Sequence, residues 1–126
     1  MKILTTLAIV FLLSACAGML APDFDSNEYG QFVNLHSDAT YLKGECGSDH
    51  VVIGIRSMKY DSGNLLTYAT HIPNNDEITG MAKIVDDDLA QMKKRSESGM
   101  TKGYCELKFD QLVIKLNKAI KSIGAL

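Results

Sequence analysis

The chain has 126 residues, with 13 Lys and Arg against 15 Asp and Glu, 46% hydrophobic residues, three Cys and no Trp. A length in this range holds one domain, and a formal charge of −2 excludes the broad positive field of a nucleic-acid binder. The balance is uneven: 12 acids face 4 bases from Cys16 to Met92, and 8 bases face 3 acids from Lys93 to Leu126, so a partner meets an acidic body and a basic final segment.

The first fifteen residues have the layout of a leader. Lys2 supplies the positive start, and Ile3 to Leu13, broken by Thr5 and Thr6, supplies an apolar stretch of signal-peptide length. That stretch is well short of the ~20 apolar residues a spanning helix needs. Leu13-Ser14-Ala15-Cys16 follows directly and resembles the lipobox of bacterial lipoproteins. The resemblance implies cleavage before Cys16 and acylation of its thiol by fatty chains such as palmitate. Ala17 in place of Asp after the lipidated Cys implies sorting to the outer membrane, on its periplasmic face. The alternative is an ordinary secretory signal cleaved nearby, with Cys16 incidental. Residues 16–25 carry Gly18 and Pro22 and no period, so they are expected to form a flexible tether of roughly 15 to 20 Å average span.

From Ser26, a plausible N-cap, helical spacing takes over and the expected fold class is all-α, four helices over residues 26–126. Phe32, Leu35, Ala39, Leu42 and Cys46 recur at steps of three and four, which aligns them on one stripe of a helix ending near Gly44 and Gly47. Asp49 can cap a second helix from His50 to Asp61, with Val51, Ile55 and Met58 inward and Gly63 as a left-handed stop. Val51 to Ile55 also has strand composition, but no partner strand is apparent, so helix is the expectation. Asn64 to Asn75, holding Leu65, Leu66, Tyr68 and Ile72, is too apolar for a bare loop and is expected to be a packed connector. Ile78, Ala82, Val85, Leu89 and Met92 mark a third helix, capped by Asn75 or Asp76 and stopped by Gly99. Cys105, Phe109, Leu112, Leu116, Ile120 and Ile123 mark a fourth after Thr101, until Gly124. Lys108, Gln111, Lys115 and Lys118 on its other side are expected to be solvated.

With Cys16 lipidated, Cys46 and Cys105 remain as an even pair in an oxidising compartment, where a disulfide is the default. Each lies on its helix's apolar stripe, so the bond would tie the first helix to the last. No CxxC occurs, and His36, His50 and His71 show no metal-ligand spacing. Asp86-Asp87-Asp88 point in three directions on a helix and are expected to be a solvated face. Glu28, Glu45, Glu77, Glu97 and Glu106 suggest no carboxylate pair, and no phosphate-cradling glycine motif is present. A catalytic role, a cofactor, a metal and a small-molecule substrate are therefore not expected.

Tyr41-Leu42-Lys43-Gly44-Glu45-Cys46, followed by Ser48-Asp49 opening the next helix, together with Cys105 shortly after Thr101, resembles the pilotin lipoproteins of type II secretion systems, of the PulS/OutS type. The second helix opens with His50-Val51-Val52, where that family carries a Pro and an acidic start, so no binding residue there is carried over. The resemblance implies a small helical lipoprotein that binds the C-terminal segment of a secretin as an amphipathic helix and draws it to the outer membrane for assembly. Apolar residues unused by the stripes are compatible: Tyr29, Val33, Leu66, Tyr68, Ile72, Met81, Ile84, Leu107 and Ile114. They thicken a core or line a groove, and the expected groove is Val33, Leu66, Met81, Ile84 and Met92. The other functional class is a small periplasmic lipoprotein acting as an inhibitor or exclusion factor. Known lysozyme inhibitors of this size are mostly β, against which three helical stripes speak.

Overall fold

The structure, a computed structural model, describes residues 22–126. The leader, Cys16 and most of the expected tether lie outside the described residues. Four helices follow in order: α1 (Ser26–Gly44), α2 (His50–Thr70), α3 (Asp76–Glu97) and α4 (Lys102–Gly124), with no strand among the described residues. Connections of four or five residues make consecutive helices antiparallel neighbours. α1 packs on α2 and α4, and α3 packs on α2 and α4, while diagonal pairs do not approach. The bundle is thus a ring of four seams around one core. Its near pole gathers the start of α1, the α2–α3 turn and the end of α4; its far pole holds the other two turns.

The apolar stripes build the core as their spacing predicts. Phe32, Leu35, Ala39 and Leu42 from α1, Ile78, Ala82, Val85, Leu89 and Met92 from α3, and Phe109, Leu112, Leu116 and Ile123 from α4 are all buried. Ile120 is only partly covered, and Ala119 takes the core position beside it. Asp25, not Ser26, caps α1: its Oδ1 accepts the Glu28 N–H at 2.8 Å. A carboxylate at the positive end of a helix has a charge advantage over a hydroxyl. Thr101 caps α4 as expected, accepting the Tyr104 N–H at 3.3 Å.

α2 departs from its expected length. It does not stop at Gly63 but continues to Thr70, and the packed connector shrinks to the turn 71–75. Its buried stripe reads Val51, Ile55, Met58, Ser62, Leu65 and Ala69, so a serine occupies the position where an apolar residue would have announced the next turn. That serine is satisfied: its hydroxyl lies 2.7 Å from Asp86 Oδ1 and 3.0 Å from the Lys59 carbonyl. The strand alternative fails on Ile53, which would share a face with Val51 and Ile55 in a strand. It is exposed while they are buried.

Asp86 and Asp88 correct the expectation of a solvated acidic face. Successive helix positions turn by about 100°, which sends Asp86 toward α2 and Asp88 toward α4. Asp86 takes both Ser62 and the Lys59 ammonium, the latter at 2.8 Å, and Asp88 pairs with Lys115. Asp87 points outward and pairs with Lys83 within α3. Lys115, likewise, is not a free surface charge.

Cys46, just past the end of α1, and Cys105, in the first turn of α4, are bonded, with Cα atoms 5.8 Å apart and both residues buried. The three other seams are joined by turns of the chain; this bond covalently joins the α4–α1 seam that closes the ring. Constraining a loop of 59 residues' separation stabilises by about 4 kcal/mol in the chain-entropy model. Cys46→Ser or Cys105→Ser is expected to cost a few kcal/mol in denaturant unfolding, and thiol titration of the native protein should find neither Cys reactive. Two reactive thiols in the unreduced protein would contradict the bond.

Two glycines separate packing from propensity. A Cβ on Gly54 would overlap the Leu42 methyl groups, whereas one on Gly63 would meet Asp86 and Lys59 at ordinary contacts of 3.8 Å. Alanine gains about 0.8–1 kcal/mol over glycine inside a helix, while overpacking costs roughly 1–3 kcal/mol. Gly63→Ala should therefore raise the melting temperature and Gly54→Ala should lower it. The reverse order would mean that Leu42 is free to move aside.

Candidate functional site

The close approach at Gly54 shapes the surface around it. Leu42 of α1 seats where α2 has no side chain, drawing the far-pole ends of the two helices together. At the near pole the Tyr68 hydroxyl of α2 donates to the Asp25 carboxylate, 3.0 and 3.2 Å from its two oxygens. Between these ties the α1–α2 seam opens into a cleft of about 410 Å³, with Leu35 on its floor and Gln31, Asn34, Asp38, Asp61 and Asn64 on its walls. A shallower extension of about 180 Å³ continues past Tyr41, Ser57 and Met58 to Gly54.

One exposed aromatic side chain lines the extension, and two more large side chains stand exposed on the outward face of α2. Tyr41 lines the extension at 69% exposure, and Ile53 and Tyr60 stand at 65% and 71% on the outward stripe of α2 with Ser57 and Asn64. Those four positions follow steps of four, three and four, which align on one helical face. Tyrosine, an apolar body with a polar tip, is a common anchor of protein interfaces.

Asp38 and Asp61 face the cleft from opposite helices. Neither takes part in an ion pair among the described residues, whereas Asp86, Asp87, Asp88, Glu97, Glu106 and Asp110 all do. Partial burial, and then the charge of Asp61, hold the Asp38 carboxyl above its ordinary pKa. No group of three or more His, Cys, Asp or Glu among the described residues could hold a metal ion. No helix there is long and apolar enough to cross a membrane.

The expected groove residues do not converge on this cleft or on one another. Val33 lies on the α4 side of α1, the side from which Lys43 reaches Asp110 at 2.5 Å. Leu66 sits seven residues from Lys59 and shares its α3-facing side; Met81 and Ile84 share the α4-facing side of α3 with Asp88. Met92 is fully buried in the core and is not available to a partner. Leu66 and Met81 are partly buried against the core, as is Tyr29, so several surplus apolar residues thicken the core instead of lining a groove. Apolar periodicity does not disclose the cleft, because its walls are polar. A signal was present: neither Asp38 nor Asp61 has a Lys or Arg three or four positions away.

No family model, no curated protein and no solved structure matches the chain.

A second polar pair is buried at the near pole. Glu28 is 1% exposed, and its Oε1 accepts from the Asn75 amide at 2.6 Å. Asn75 stands at the N-cap position of α3 as expected, but its side chain makes no cap hydrogen bond and directs its amide to Glu28 and the Ala69 carbonyl. Burial pushes the Glu28 carboxyl above its ordinary value of 4.5, opposed by the Asn75 hydrogen bond and helped by Asp25. A carboxyl with a raised folded pKa binds its proton more tightly in the folded state. Its contribution to stability is present below pH 4.5 and is lost as pH rises through the folded pKa. Glu28→Gln keeps an acceptor for Asn75 without the charge, so its melting temperature should exceed that of the wild type near neutral pH and converge with it near pH 4. Parallel profiles for the two proteins would show that Glu28 ionises without penalty.

Proposed function

We propose that this chain is a pilotin: a non-enzymatic outer-membrane lipoprotein, anchored through Cys16, that holds the C-terminal segment of a type II secretion secretin and directs its targeting and assembly. The observation that carries the reading is the α1–α2 cleft, a preformed groove with Tyr41 exposed along its extension, on a disulfide-closed helical bundle. Its two lined stretches run from Gln31 to Tyr41 along α1, about 15 Å at the rise of a helix, which suits roughly three turns of a partner helix. A disordered segment that folds on binding costs several kcal/mol to order, so a few anchors against Leu35 and Tyr41 would carry most of the affinity. The lipobox, the Tyr-Leu-Lys-x-x-Cys stretch and the two-Cys spacing support the same reading from the sequence.

The test is made in cells that carry the cognate secretin. The wild-type chain should fractionate with the outer membrane, be retained as an uncleaved precursor under globomycin, and co-purify with secretin multimers. Cys16→Ala should leave the protein in the periplasmic fraction and the secretin out of the outer membrane. Wild-type protein found soluble in the periplasm, or secretin assembly untouched by its deletion, would rule the proposal out.

A further inference from the structure

Whatever fills the α1–α2 cleft takes Asp38 and Asp61 out of water. Two carboxylates covered by an occupant, with no cation of this chain beside them, oppose binding, because a charge removed from water needs a partner of opposite sign. A neutral or acidic occupant supplies none. Resting on the pilotin reading, we infer that the occupant of the cleft is a basic amphipathic helix that places a Lys or Arg side chain between Asp38 and Asp61, with its apolar side against Leu35 and the Tyr41 ring. Asp86, Asp87, Asp88 and Glu97 of α3 and Glu106 and Asp110 of α4 already have cationic partners on this chain, whereas the two acids on the cleft walls have none. Arg fits best, since its planar fork can meet carboxylates on both walls and the side-chain oxygens of Asn34 and Asn64. The acid pair then acts as a selectivity filter, rejecting amphipathic helices that lack the cation.

The experiment titrates the mature chain carrying Cys16→Ser with a 20-residue peptide from the extreme C-terminus of the cognate secretin, at low and high salt. Asp38→Asn and Asp61→Asn are expected each to weaken binding at least fivefold, and raising the salt should weaken the wild type more than the double variant. Changing the basic residue of the peptide to Gln should weaken wild-type binding equally, yet have no further effect on the double variant. Both Asp side chains are exposed, and unchanged thermal unfolding of the variants would confirm intact folding. Undiminished binding by the double variant overturns this inference alone, as does wild-type binding that strengthens when pH falls from 7 to 5, since a proton would then replace the cation. Failure of the wild-type chain to bind the peptide overturns the pilotin reading and this inference with it.

Discussion

The bundle depends on how its fourth seam is closed. Turns of the chain bring α1 to α2, α2 to α3 and α3 to α4, but nothing in the connectivity returns α4 to α1. The Cys46–Cys105 bond does so at the far pole, Lys43 and Asp110 reinforce it along the same seam, and Tyr29 packs beside Gly124 toward the near pole. A domain of this size has a small margin of stability, and a covalent clamp on the seam of greatest sequence separation supplies it where local folding cannot. With that seam held, the neighbouring α1–α2 seam and its cleft can be poorly filled without loss of the fold.

Charged residues divide by role in a way their sequence positions do not announce. Asp86 and Asp88 are neighbours but one, yet they bind different helices and fix the rotation of α3 between α2 and α4. Lys59 and Ser62 meet the same Asp86 oxygen, so the polar break in the α2 stripe is also its registration point. A buried polar link of this kind is worth a modest net energy but is costly to leave half-made, which suits it to selecting one helix rotation among several of similar apolar burial. Asp38 and Asp61 have the opposite character: the fold does not use them.

How much of this the sequence discloses depends on whether apolar period carries the information. α1, α3 and α4 are legible because Phe32 to Leu42, Ile78 to Met92 and Cys105 to Ile123 repeat without interruption, and the disulfide follows from Cys number and stripe position. The second half of α2 is hidden because Ser62 and Gly63 fall together where a turn signal is expected, and only the Asp86 carboxylate on another helix explains them. The cleft is hidden for a related reason. Surplus apolar residues such as Val33, Leu66 and Ile84 have in common only that no stripe uses them, and their phase around each helix sends them to three different seams. Ile53 and Tyr60, seven residues apart on the side of α2 opposite its core, become visible as a stripe once the helix is known to run through Gly63.

The Leu42–Gly54 seat has a mechanical meaning as well as a packing one. Together with the Tyr68–Asp25 link it fixes α1 to α2 near both ends and leaves the middle unsupported. Two rods joined at both ends cannot swing apart about a hinge; widening the gap between them requires bending the rods, and an intact α-helix is stiff over three turns. The mouth of the cleft is therefore set by the lengths between the ties and not by the occupant. A ligand gains little by induced opening, its thickness is limited in advance, and selection acts on shape before any contact energy is realised.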